Sequence, residues 1–78
     1  MKIEETVLSI IRDNTEEKQA VTLASDLRKE LRLDSFGTLM IINALEDTFA
    51  ISVDEEDFRG VNTVSDVVGL LSTKYHCT

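Results

Sequence analysis

Ser35 follows Asp34 at the point where an apolar-periodic segment begins, and this pair is the first candidate for chemistry in the chain. A helix N-terminus carries unsatisfied N–H groups and the positive end of the dipole, so it favours a phosphate. A serine there offers a hydroxyl to whatever binds. The competing structural role is simple: either Asp34 or Ser35 is the N-cap of the helix. Self-contained nucleophilic catalysis needs a base beside the hydroxyl. The sole histidine, His76, stands near the C-terminus, and no GxSxG elbow is present. A serine that a separate enzyme modifies needs only exposure and a rigid scaffold, and that demand is the easier one to meet here.

Two further constellations are weaker. His76 beside Cys77 offers two metal donors, but two ligands on a terminal tail seldom make a site, and no metal is expected. The run DEEDFRG fails as a calcium loop: an EF-hand places its glycine sixth, whereas Gly60 comes seventh after Asp54.

Seventy-eight residues make a single domain, 1–78. A chain this short hides about 60% of its unfolded surface, too little to enclose an active site of its own. Fifteen Asp and Glu oppose eight Lys and Arg, a formal charge of −7, which disfavours nucleic acid and anionic membranes and attracts basic partners. A helix-turn-helix DNA reader is excluded on the same ground. The acids are uneven. Glu46, Asp47, Asp54, Glu55, Glu56 and Asp57 fall together with no base among them, while Arg28, Lys29 and Arg32 offset Asp26, Glu30 and Asp34. One cysteine forms no internal disulfide, the start MKIEETVLSIIRDN lacks a signal-peptide apolar run, and no segment is long enough to span a bilayer. A reducing cytoplasm is the expected compartment.

The elements that position Ser35 are legible as periodicities. Ile3, Val7, Ile10 and Ile11 mark an amphipathic helix over 3–14, with Glu4 and Glu5 favouring its dipole. Residues 15–34 form a long connection in which Val21, Leu23, Leu27 and Leu31 are expected to anchor the chain to the core, and Ser25 to cap a short turn. The central helix runs from Ser35 to Phe49. Ile51 and Val53 alternate, but two short strands alone are marginal, so an extended connector and a short helix from Asp54 to about Arg59 are expected. Thr63 then caps a last helix whose buried stripe is Val64, Val67, Val68 and Leu71. The fold class is all-α: a small four-helix bundle of three main helices and one short one, with a long loop between the first two. Its ordered core spans about 3–74, and 75–78 are expected to be a tail.

The central helix has apolar side chains on two sides. At about 100° per residue, Ile41, Ile42, Leu45 and Phe49 share one arc with Thr38, wide enough for the core face. Phe36, Leu39 and Met40 fall on the opposite arc with Asn43, Glu46 and Asp47. Either the long loop folds over Phe36 and Leu39, or the arc is a docking face in which an apolar patch is rimmed by acids.

Asp34-Ser35-Phe36 resembles the Asp-Ser-Leu signature of acyl carrier proteins. Val21-Thr22, Leu31, Thr38, Ala44-Leu45-Glu46, Phe49 and Val61 to Val64 also fall at spacings that match the family. The resemblance covers nearly the whole chain. It implies a four-helix bundle, and a 4′-phosphopantetheine arm that a phosphopantetheinyl transferase moves from coenzyme A to Ser35. It also implies acyl thioesters on the terminal thiol and no chemistry by the carrier itself. The partners it implies are acyl-loading and acyl-processing enzymes that recognise Leu39, Met40, Asn43, Glu46 and Asp47, to which the apolar arc adds Phe36 as a contact, and the carrier is expected to be a monomer. Fatty-acid, lipid or polyketide-type biosynthesis is the setting it suggests. Gly37 stands where the family often has an acid and Met40 where it often has Glu, and RKELR precedes the serine. LDSFGT also resembles D-alanyl carrier proteins, which leaves an aminoacyl cargo as the alternative. A third possibility is a carrier-like adaptor that is never modified and works only through its acidic, apolar face.

Overall fold

A computed structural model describes residues 2–15 and 21–77; Met1, part of the 15–34 connection (residues 16–20) and the last tail residue, Thr78, lie outside the described residues. Four helices follow in order: α1 Ile3–Asp13, α2 Ser35–Phe49, α3 Glu55–Arg59 and α4 Val64–Thr73. No strand forms among the described residues, and the one pairing is an isolated bridge between Asp26 and Thr63. The all-α four-helix bundle expected from periodicity is the observed fold.

α1 buries Ile3, Val7 and Ile11, the residues its 3.6-residue period aligns, and packs them against α4 and α2. Ile10 lies at the edge of that stripe and is half-buried. Asn14 closes the helix by returning its backbone N–H to Ile11 O at 3.0 Å and its side-chain amide to Ile10 O at 2.8 Å. α4 buries Val64, Val67 and Leu71, with Val68 half-buried beside them. Its start is a capping box, in which the Thr63 hydroxyl accepts the Asp66 N–H and the Asp66 carboxylate accepts the Thr63 N–H. Phe58, the one buried residue of the five-residue α3, reaches into the core from its own side.

The long loop is held by backbone as much as by side chains. Val64 and Ser65 open α4 with N–H groups that no helical carbonyl can reach. They donate instead to Ser25 O at 3.1 Å and Leu23 O at 2.8 Å, and Leu27 N–H donates to Asn62 O at 2.8 Å. Val21, Leu27 and Leu31 are buried as expected, but Leu23 is 39% exposed. Its carbonyl serves α4, and that demand turns its side chain outward. Ser25 is also not the cap of the following turn: it is buried, and its Oγ accepts the Thr22 N–H. Asp26 takes the capping role, with Oδ1 accepting the N–H groups of Arg28 at 2.9 Å and Lys29 at 2.8 Å.

The expected tail is corrected for residues 75–77. Tyr75 and Cys77 pack against the core. The Tyr75 hydroxyl accepts the Asp54 N–H at 2.8 Å and donates to Asp57 Oδ2 at 2.9 Å. Lys74 forms an ion pair with the same Asp57 oxygen. His76 adopts a left-handed backbone, φ 56°, which lets the Cys77 N–H return to Leu71 O at 2.9 Å. The C-terminal segment therefore straps α4 to α3.

Candidate functional site

The site begins with the entrance to α2. Asp34 holds an extended backbone, φ −94° and ψ −173°, and its Oδ1 accepts the Gly37 N–H at 2.8 Å while its carbonyl accepts the Thr38 N–H at 2.9 Å. Asp34 is therefore the N-cap, and Ser35 is the first helical residue. This removes the simplest structural role for the serine, since the capping position is filled by its neighbour. Ser35 is exposed, and its hydroxyl makes no hydrogen bond among the described residues. The N–H groups of Ser35 and Phe36 likewise find no acceptor there.

Gly37 contributes through what it lacks. A Cβ there would lie 3.2 Å from Leu33 Cδ2 and 3.4 Å from Asp34 Oδ1. The bare Cα lets Leu33 and the capping carboxylate close over the first turn, so any larger residue would require Leu33 to shift by a few tenths of an ångström.

Beside Ser35 opens a cleft of ≈430 Å³. Its α2 wall is Ser35, Thr38, Leu39 and Ile42; Glu55 and Arg59 of α3 face them, and Arg28, Leu33 and Asp34 of the loop complete it. Arg28 is pinned, donating from one guanidinium nitrogen to Val61 O at 2.8 Å and from another to Arg59 O at 3.2 Å. Periodicity and motif reading named neither Arg28 nor Arg59 as site residues. The only signal was the unusual RKELR run, because the two arginines lie 31 positions apart in sequence and meet only through tertiary packing.

The outward arc of α2 is bare. Phe36 is 72% exposed, Leu39 48% and Met40 42%, so the described residues of the loop do not cover them. Asn43 and Asp47 are also exposed. Glu46 differs from them, since it is half-buried and its Oε2 accepts the Val53 N–H at 2.8 Å, fixing the connector after α2.

Among the described residues no base forms a hydrogen bond with the serine. His76 does not line the cleft beside Ser35. Burial pushes the Cys77 thiol up, away from its reactive form. Among the described residues no group of His, Cys, Asp and Glu could hold a metal ion, and no helix is long and apolar enough to cross a membrane.

A hydroxyl with no hydrogen-bond partner among the described residues, at the positive end of a helix, suits a scaffold that receives a group from elsewhere. Residues 5–71 match the family described as a phosphopantetheine attachment site. The chain belongs to that family, the family of acyl carrier proteins. It is similar to the acyl carrier protein of Coprothermobacter proteolyticus, with 29% identity over 76 residues, covering 96% of this chain and 93% of that one. Its fold is also that of a solved Mycobacterium tuberculosis chain assigned as an acyl carrier protein. That match has a TM-score of 0.83 and 26% identity, and it covers 94% of this chain and 99% of the other. The family's prosthetic group is 4′-phosphopantetheine, and the α2 entrance fits it: an accessible oxygen for the ester bond, unpaired first-turn N–H groups for the phosphate, and an adjoining cleft.

Proposed function

We propose that this protein carries acyl groups as thioesters on a 4′-phosphopantetheine arm attached to Ser35. The single observation that supports the attachment point is that Asp34 caps α2, leaving the Ser35 hydroxyl exposed and without a hydrogen bond among the described residues. In the transfer, the serine oxygen attacks the phosphorus of the pantetheine 4′-phosphate in coenzyme A. Adenosine 3′,5′-bisphosphate leaves, and the hydroxyl proton passes to the transferase. The arm, once bound, supplies a thiol that forms the thioester. The chain's own part is to hold the oxygen outward, to offer the Ser35 and Phe36 N–H groups to the phosphate, and to present the loaded arm.

Partner enzymes dock on the outward arc of α2. Phe36, Leu39 and Met40 provide apolar contact, and Asn43, Asp47 and the second oxygen of Glu46 provide the polar rim. The protein acts in the cytoplasm as a monomeric substrate of a phosphopantetheinyl transferase and of acyl-loading and acyl-processing enzymes, in fatty-acid, lipid or polyketide-type synthesis.

The test is to incubate the apo protein with coenzyme A, magnesium and a broad-range transferase and then weigh it. A gain of one phosphopantetheine that vanishes in Ser35→Ala is the expected result. An unchanged mass would favour an adaptor that works by contact alone.

A further inference from the structure

We infer that Lys74 and Tyr75 form a latch on α3, and that its release lets residues 54–59 swing away while α1, α2 and α4 stay folded. The latch holds one wall of the Ser35 cleft, whatever Ser35 carries, because Glu55 and Arg59 line that wall.

A five-residue helix cannot hold itself, since isolated helices shorter than about 12–15 residues are marginal in water. Phe58 is its one buried side chain, and the ion pair within it, Glu55 with Arg59, is open to solvent and contributes little. Its entrance is therefore secured from outside. The Tyr75 hydroxyl accepts the Asp54 N–H at 2.8 Å and donates to Asp57 Oδ2 at 2.9 Å, and Lys74 pairs with that same oxygen. One phenol thus ties the N-cap residue and a first-turn acid together. The Asp57 side chain is only 22% exposed, so its partners matter more than those of Glu55. The latch is itself tethered to α4, because the left-handed His76 returns the Cys77 N–H to Leu71 O.

The flanks of this segment are anchored separately. Upstream, Glu46 Oε2 accepts the Val53 N–H at 2.8 Å. Downstream, Arg28 donates to Arg59 O and Val61 O, and the Leu27 N–H reaches Asn62 O at 2.8 Å. Loss of the Tyr75 and Lys74 bonds therefore frees 54–59 and leaves both flanks in place, with the Arg28 contacts as the pivot. The remaining helices do not depend on α3, since α1 packs directly against α4 and α2. Phe58 leaves the core when the segment swings, which keeps the open form a minor state.

The test is amide hydrogen exchange on the full chain, read residue by residue. In the unaltered protein the Asp57 and Phe58 N–H groups, both bonded to Asp54 O, are expected to exchange faster than those of Val67 and Leu71 in α4. Tyr75→Phe keeps the ring and removes the hydroxyl, and it should speed Asp57 and Phe58 about three- to tenfold. Lys74→Met, at a half-exposed position, should act in the same direction by about twofold. Ile11→Val is the control: it weakens the α1 packing that the open form retains, so Val67 and Leu71 should speed up while Asp57 and Phe58 stay within about twofold. Asp57 and Phe58 exchanging in step with α4, in the unaltered protein or in Ile11→Val, would overturn the separate opening. Exchange of both unchanged in Tyr75→Phe and Lys74→Met would overturn the latch.

Discussion

Asp34 and Ser35 divide one helix entrance between them: the carboxylate of Asp34 accepts the Gly37 N–H at 2.8 Å, and the hydroxyl of Ser35 makes no hydrogen bond among the described residues. Structural and functional duties are thereby separated onto adjacent residues, and substitution can tell them apart.

Asp34→Ala should cost about 1 kcal/mol of stability through the lost cap. Ser35→Ala should change stability by no more than about 0.5 kcal/mol, because it removes no intramolecular bond, yet abolish arm attachment. Denaturant unfolding combined with mass measurement checks both. A stability loss in Ser35→Ala equal to that of Asp34→Ala would show the serine to be structural.

The docking arc predicts that Met40→Glu leaves stability within about 0.5 kcal/mol of the parent, since the Met40 side chain is 42% exposed. The same change should alter the rate at which a transferase or acyl-loading enzyme uses the carrier. A drop in melting temperature typical of core truncation would reassign Met40 to the interior.

Ala50 ends α2 in a left-handed conformation, φ 55° and ψ 47°, with its N–H bonded to Glu46 O. An L-residue is strained there by about 1–2 kcal/mol, whereas glycine is not, though glycine orders a freer unfolded chain. Because Ala50 is exposed, no packing is lost, and Ala50→Gly should stabilise the protein by about 0.5–1 kcal/mol. Unchanged or reduced stability in thermal and denaturant unfolding would contradict this.

Acid should weaken the bundle at three defined places. Lys74, with Tyr75, holds the Asp57 carboxyl below its usual 3.8. The Lys29 N–H lowers Asp26, and the Asn62 and Thr63 N–H groups lower Asp66. Each depressed acid contributes stability that is present above its unfolded value and lost as pH falls through the folded one, so melting temperature should decline from about pH 4 downward. At the alkaline end, Lys74 is raised by Asp57, and Tyr75 is raised mainly by burial. Stability should fall again above about pH 10 as these two lose protons. Asp57→Asn should flatten both limbs, and profiles that match the parent at both ends would count against the strap.

Much of this molecule is written locally. The i, i+4 spacing of Ile3, Val7 and Ile11 obliges a helix to bury one stripe, and Thr63 with Asp66 announces the start of α4. The two-sided pattern of α2 is likewise legible, though whether the loop covers its second face is a tertiary matter, and the structure leaves Phe36, Leu39 and Met40 exposed. These outcomes depend on neighbours within one or two turns, which is why they can be read residue by residue.

Other features depend on what packs against what. Leu23 turns outward because α4 needs its carbonyl, and Tyr75 is ordered because Asp54 and Asp57 of the α3 region meet its hydroxyl. Arg28 joins Ser35 in one cleft only because Val61 O and Arg59 O fix its guanidinium. Hydrogen bonds between groups far apart in the chain leave no periodic trace. The sequence by itself determined the helices, the family and the hydroxyl at the helix entrance; tertiary structure decided which donors and apolar surfaces stand beside it.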